Sequence, residues 1–370
     1  LASGKSLSPD GWRISVKIRT MKAIAAHPLA PDAPDVFTSI TLPEPEPEPH
    51  DIVVQVHAVS VNPIDNKMRM TPAGKGEKTG RILGWDAAGV VHALGSQATR
   101  FKVGDPVFYA GSVVRSGANA QRHCVDERIV GRKPATLSFA DAASLPLTSL
   151  TAWEAMFEHM GIGARLFEVD ALPIEKTLLI IGGAGGVGSI ACQLGRQVPG
   201  LTVVATASRE ASQQWCRQMG AHHVVNHKED LGAQFKQAGL AAPDYVLINT
   251  EPDPYFDALA RLIAPFGKIC AIVNASGAMD VMKLRTKAAE FSWQGMFTRS
   301  NFQTADMVQQ AHILDKVAQW VDQGKLRTTR NIDFGDMTPQ HLSDAHIAIN
   351  QASMIGKGVL HWIADQQENS

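Results

Sequence analysis

The strongest chemical signal in the chain is a run of small residues. Gly183-Ala184-Gly185-Gly186-Val187-Gly188 fits the spacing glycine-x-glycine-x-x-glycine, directly after the apolar stretch 177–181 and at the start of a helix-like stretch, 187–198. Glycines there permit a tight turn and let backbone N–H groups approach a pyrophosphate, whose charge a helix N-terminus favours. The plain alternative is a glycine-rich strand-to-helix turn with no ligand. At the end of the next strand, an NAD site usually has an Asp or Glu that bonds the ribose 2′-hydroxyl. Here the chain has Thr206-Ala207-Ser208-Arg209, with no acid. A hydroxyl beside a guanidinium suits a 2′-phosphate, so the pattern predicts NADPH over NADH. Ser208 as a helix cap and Arg209 as the first, solvated helical residue is the bland reading, and the two are compatible.

Two kinds of sequence must position these residues. From Met21 to about Pro146 the pattern is β: residues 52–61 read as a strand rich in β-branched residues, Gly89-Val90-Val91 begins another, and Val103-Gly104-Asp105-Pro106-Val107 is a turn feeding a third. Pro43, Pro45, Pro47 and Pro49 make a stiff extended loop. Short strands with turn signals at irregular spacing suggest a small barrel. From about Leu147 strands and helices alternate, with strands at 177–181, 201–205, 224–225, 245–248 and 269–273 and a helix at 209–219. That order predicts a parallel sheet covered on both faces. Met307, Ala311, Leu314, Ala318 and Val321 keep helical spacing up to a stop at Gly324, Thr338-Pro339 opens another helix, and 358–362 reads as a last strand returning to the first domain. The fold class is therefore α/β, a β-barrel domain (21–146, completed by 325–370) beside a doubly wound parallel-sheet domain (147–324).

Composition narrows the partners. The chain has 370 residues, enough for two domains, and 35 basic against 36 acidic residues leave a net charge of −1. Such a balance argues against nucleic acid or an anionic membrane as partner. Charged residues are only 19% and hydrophobic ones 45%, which excludes disorder and fits a large core. Four cysteines far apart in sequence suggest a reducing, cytoplasmic compartment and no zinc ribbon. No apolar run reaches membrane-spanning length. Residues 1–20 lack an apolar signal-peptide core, so Met21 is read as the native start and 1–20 as an N-terminal extension or added segment. The alternation of Ile14, Val16 and Ile18 leaves an edge strand there as the other reading.

Several ordered motifs together resemble the medium-chain dehydrogenase/reductase superfamily, in its quinone-oxidoreductase-like branch, and the group called zinc-type alcohol dehydrogenase-like proteins. They are Ser60-Val61-Asn62-Pro63-Ile64-Asp65, Gly84-Trp85-Asp86-Ala87-Ala88-Gly89-Val90-Val91, Val103-Gly104-Asp105, Leu145-Pro146-Leu147-Thr148-Ser149-Leu150-Thr151-Ala152, the glycine loop and Ile355-Gly356-Lys357, so the likeness runs from Met21 to Trp362. The resemblance implies a GroES-like barrel, a Rossmann domain, a cleft between them and a homodimer. To the contacts already read at Gly183, Ala184, Gly185, Gly186, Val187, Gly188, Ser208 and Arg209 it adds cofactor contacts at Thr151, His227, Asn249, Phe297 and Lys357, with a plain surface histidine as the other reading of His227. Zinc-dependent members carry cysteine at Asn62, His-Glu at Trp85-Asp86, and a third ligand near Leu147. Asn and Trp cannot serve as zinc ligands and Leu has no ligand atom, so no metal is expected.

Without a Lewis acid, a simple ketone is a hard hydride acceptor, whereas quinones and α,β-unsaturated carbonyls spread the developing charge. The sequence thus predicts NADPH-dependent reduction of such small-molecule electron acceptors. Asn62 reads either as a holder of the substrate carbonyl or nicotinamide ribose, or as a turn residue before Pro63. Asp65 reads as an organiser of the cleft wall or a turn cap, and Lys67 as a cationic donor at the substrate mouth or a plain surface lysine. Tyr109 is the first choice for substrate contact and proton donation, with a buried tyrosine bonded to a carbonyl as its alternative. A non-catalytic NADPH-binding sensor, and a zinc-dependent alcohol dehydrogenase, are the competing functions.

Overall fold

The structure, a computed structural model, describes residues 19–29, 33, 35–71, 80–163 and 175–362. Of the 1–20 extension reading, residues 1–18, with the alternation at Ile14, Val16 and Ile18, lie outside the described residues, whereas Thr20 already belongs to the first strand.

The first part of the chain supplies β1 (Thr20–Ala26), β2 (Phe37–Pro43), β3 (Asp51–Ser60), helix α1 (Pro63–Met70), β4 (Arg81–Ile82), β5 (Ala87–Leu94), β6 (Pro106–Tyr109), β7 (Arg122–Asp126) and β8 (Val130–Arg132). Two short helices follow, α2 (Phe139–Ala143) and α3 (Pro146–Trp153), and a π-helical turn Glu154–His159 continues α3. Alternating strands and helices come next: β9 (Lys176–Ile181), α4 (Gly186–Arg196), β10 (Leu201–Thr206), α5 (Glu210–Gln218), β11 (His223–Val225), α6 (Leu231–Gln237), β12 (Tyr245–Ile248), α7 (Asp253–Leu262), β13 (Lys268–Ala271) and β14 (Glu290–Trp293). The chain then forms α8 (Thr298–Phe302), α9 (Gln309–Asp322), β15 (Arg330–Asp336), α10 (Pro339–Asn350) and β16 (Lys357–His361).

Both expected architectures are present. One sheet runs β15-β16-β3-β5-β6-β8, with β7 also on β3, and a small sheet β2-β1-β4 lies beside it. The last strand, β16, pairs antiparallel with β3, so the end of the chain returns to the first sheet. The other sheet runs β11-β10-β9-β12-β13-β14, every pair parallel. That order reverses direction between β9 and β12, the switch point where such sheets bind ligands.

The residues explain the layers. In β9, Leu178 and Ile180 enter one core while Leu179 and Ile181 enter the core on the opposite face. Each side chain is fully buried, worth about 1.5–3 kcal/mol apiece against exposure. A strand covered on both faces needs this uninterrupted apolar run. The first of these cores also takes in Ala58, Ala88 and Phe108 from the barrel sheet, so the two sheets share one continuous interior. Helix ends follow local signals: Thr338 Oγ1 accepts from His341 N–H at 3.1 Å, and Gly324 turns left-handed (φ 71°) after α9.

Candidate active site

The glycine loop leaves β9 at the switch point. Gly182 adopts φ 77°, its N–H donates to Thr206 Oγ1 at 3.0 Å, and Gly183 N–H donates to Thr206 O at 3.1 Å. A Cβ on Gly188 would lie 2.3 Å from Gly182 O, so this position must stay bare for α4 to approach the loop. No side chain caps α4, whose N-cap is Gly185. Its first N–H groups therefore suit an anion. On the other side of the switch point Asn249 follows β12, and its N–H donates to Ile181 O at 3.1 Å. Both polar atoms of the Asn249 side chain are buried without a partner, and so is Nδ1 of His227 after β11. Burial also draws the His227 imidazole below its ordinary value. Unsatisfied polar groups just past the ends of β11 and β12, at the end of the sheet where the uncapped loop leaves β9, are what a nucleotide's ribose and phosphates would satisfy, so the residues present fit a dinucleotide.

Arg209, not Ser208, is the N-cap of α5. Its Nη2 donates to Ser353 O at 2.8 Å and its Nε to Ser212 Oγ at 3.2 Å, which holds the guanidinium beside the segment that precedes β16. That segment docks on the glycine loop: Gly356 N–H donates to Ala184 O at 2.9 Å, and Gly185 and Gly356 form a parallel bridge. Thr151 spends its hydroxyl within α3, donating to Leu147 O at 2.7 Å. Phe297, half-buried, packs against both the shared core and the barrel core.

On the barrel side the chain closes a buried polar cluster. Asn62, the N-cap of α1, gives its backbone N–H to Asp65 Oδ2 at 2.6 Å, and Asp65 Oδ1 takes Gly84 N–H at 3.2 Å. The Asn62 amide turns inward, with Nδ2 on Trp85 O at 3.1 Å and Asp86 Oδ2 at 3.2 Å, and Oδ1 taking Lys357 Nζ at 2.5 Å. Asp86 Oδ1 accepts Leu147 N–H at 2.9 Å in the first turn of α3. Burial pushes the Asp86 carboxyl up and draws the Lys357 ammonium down, and their mutual charge opposes both shifts. Burial likewise lifts Asp65, to about 7.

Several expectations change here. Tyr109 does not reach the cleft: it is buried in the barrel core, with its hydroxyl 3.0 Å from His123 Nδ1, and burial pushes its acidity further from the working range. The bland alternative, a packed tyrosine with a satisfied hydroxyl, is the one present, with a histidine in place of the carbonyl. Asn62 is committed to internal bonds rather than offered to a substrate. Asp65 caps α1 and ties down the Gly84 turn, and Lys67 is an exposed lysine in the last turn of that helix. Lys357 turns its ammonium to the barrel and only its stem to the glycine loop.

Sequence reasoning missed two participants. Asp86 was legible as a lone charge in the apolar run 82–91. Glu154, buried in the π-helical turn, binds Arg299 Nη1 at 2.7 Å and Gln310 Nε2 at 3.1 Å, and so fixes the segment carrying Phe297. Among the described residues no three His, Cys, Asp or Glu side chains are grouped to hold a metal ion. The donors at the expected zinc positions, Asn62, Trp85 and Leu147, do not fit zinc.

The alcohol dehydrogenase GroES-like domain family matches residues 48–152, and the zinc-binding dehydrogenase family matches residues 219–360. A zinc-type alcohol dehydrogenase-like protein of Staphylococcus aureus (strain MRSA252) is 40% identical over 318 residues, covering 86% of this chain and 92% of the relative. The chain belongs to the medium-chain dehydrogenase/reductase superfamily, in its quinone-oxidoreductase-like branch. A second member, the human mitochondrial NAD(P)H oxidoreductase RTN4IP1, is 30% identical, covering 85% of this chain and 82% of the relative. A Rhizobium etli member solved as a candidate zinc-dependent alcohol dehydrogenase superposes with TM-score 0.86 at 44% identity, covering 94% of this chain and 99% of that one. As a medium-chain dehydrogenase/reductase the chain is an NAD(P)-dependent oxidoreductase, and its barrel sheets and its parallel sheet are the GroES-like and Rossmann-like parts of that fold.

Proposed function

We propose that the protein is a zinc-independent, NADPH-dependent reductase of quinones or α,β-unsaturated carbonyls. The observation that carries this reading is the donor set: a glycine loop and unpartnered Asn249 and His227 fit the dinucleotide, while Asn62, Trp85 and Leu147 offer no metal site. Bound there, NADPH supplies a hydride. Arg209 and Ser208 would hold its 2′-phosphate, Gly183 to Gly188 its pyrophosphate, and Asn249 and His227 its ribose and adenosine. Phe297 closes the cleft against water. An acceptor that delocalises negative charge needs no metal, and with Tyr109 sealed in the barrel the proton would be taken from water. We read the assembly as a homodimer: β14 is the edge of the parallel sheet and Trp293 on it is 46% exposed. All four cysteines are unpaired, which suits the cytoplasm. Among the described residues no helix is long and apolar enough to cross a membrane.

One observation favours a second reading. Asn62, Lys357 and Tyr109 are all committed to internal partners, as they would be in a protein that binds NADPH without using it. The test is NADPH oxidation by chelator-treated protein offered an ortho-quinone and a panel of enals. Steady turnover that survives chelation is expected. Tight NADPH binding with no turnover on any acceptor would select the sensor instead.

A further inference from the structure

One position where zinc-dependent relatives hold their metal, Asn62, and Asp86, which follows another, both meet a lysine ammonium in this chain. Lys357 is 3% exposed, and its Nζ donates to Val61 O at 2.6 Å and to Asn62 Oδ1 at 2.5 Å and forms an ion pair with Asp86 Oδ2 at 3.2 Å. Two neutral oxygens and a carboxylate oxygen surround the nitrogen, and a carboxylate partner favours its charged form. Asp86 is matched in turn, taking Leu147 N–H, the Asn62 amide and the ammonium. The same side chain reaches the nucleotide loop. A Cβ on Gly186 would lie 2.6 Å from Lys357 Cδ and 3.1 Å from Thr148 Cγ2, so loop, lysine stem and α3 are in contact with no room for a larger residue.

We propose that Lys357 is a positioning residue: its ammonium is a resident cation that ties the Asn62 turn and the Asp86 carboxylate to the nucleotide loop, beside the position, Asn62, that carries a zinc ligand in relatives. The proposal rests on the zinc-independent reading above. It adds that the chain supplies from its own β16 the positive charge that other members import. A tethered cation has a property that a metal lacks: it cannot be stripped without moving the strand that carries it. The seating of the dinucleotide and the shape of the substrate wall are thereby set by one side chain.

The test uses the full chain with Lys357→Met, Asp86→Asn and the double variant. Each single change leaves an unmatched buried charge and lowers Tm by about 5–10 °C, whereas the double change recovers at least half of the larger loss. Losses that simply add would overturn the pairing. If Lys357→Met does not fold, a folded double variant supports the pairing and an unfolded one overturns it. Lys357→Ala separates positioning by charge from mere packing: ethylammonium, but not potassium at equal ionic strength, should restore NADPH affinity severalfold. No amine rescue overturns the cation role. The Tm comparison needs no acceptor, so it stands even where turnover fails. Stoichiometric zinc in the wild-type protein would sink both readings, and zinc-free turnover with additive losses would sink only this one.

Discussion

Arg209 holds two neutral acceptors, Ser353 O and Ser212 Oγ, and a 2′-phosphate would compete for the same guanidinium with a charge-assisted bond. Arg209→Ala should therefore weaken NADPH about 10- to 100-fold and leave NADH nearly unchanged, as read by fluorescence titration of both cofactors. Equal losses for the two would remove the phosphate role. Tyr109 belongs to the opposite category. Its hydroxyl is paired with His123 Nδ1 inside the barrel, and the ring stacks on the His123 imidazole with centroids 5.4 Å apart. Tyr109→Phe should cost about 1 kcal/mol of stability in denaturant melts and leave kcat within about twofold. A large fall in kcat with unchanged stability would return Tyr109 to the reaction.

At the scale of elements, the strand-loop-helix unit β9–α4 separates packing from binding within six residues. A Cβ on Gly188 would strike Gly182 O at 2.3 Å and Gly183 O at 2.6 Å, both backbone atoms that cannot step aside. A Cβ on Gly185 has its nearest neighbour, Gly182 O, at 3.7 Å, and the residue's φ of −73° suits any side chain. Gly188→Ala should thus lower Tm and expression. Gly185→Ala should keep the wild-type Tm and lose NADPH affinity by about tenfold or more, since its methyl stands where the phosphates approach. The pair is checked by thermal melts alongside binding isotherms. Intact affinity in Gly185→Ala would move the pyrophosphate elsewhere. The uncapped start of α4 and the docking of Gly356 on Ala184 are the element-level reasons for placing it there.

The whole molecule carries a pH dependence set by burial. His123 is drawn down from its ordinary 6.5 to about 4 by burial, and His346 to about 3 by burial and then by the charge of Arg69. Unfolded, each histidine gains a proton near pH 6.5, while the folded protein refuses it until those lower values. Their stabilisation is complete above pH 6.5 and lost as the pH falls towards 4 and 3. Asp65, lifted to about 7, works the other way, because its folded form keeps a proton that the unfolded chain has released. The clean comparison is between variants: from pH 7 to pH 5, His123→Gln should lose about 2 kcal/mol less stability than wild type. Identical pH slopes in calorimetry would show that His123 is not held neutral by the fold.

What the chain determines locally could be read from it directly. The glycine spacing, the apolar run of β9, the Thr338-Pro339 cap and the missing acid before Arg209 each act within a few residues, through backbone freedom, periodicity and capping. They sufficed for the barrel and parallel-sheet architectures and for the glycine loop that leaves β9 at the switch point. The substrate side was decided by tertiary structure. Lys357 and Asn62 are 295 residues apart in sequence, and only the pairing of β16 with β3 brings them within a hydrogen bond. Tyr109 ends β6, but whether its hydroxyl faces a cleft or a histidine depends on β7 and the loop at Ser116, which hold His123 against it. Strand and helix signals are short-range, whereas the orientation of a buried polar group answers to whichever partner desolvation leaves beside it.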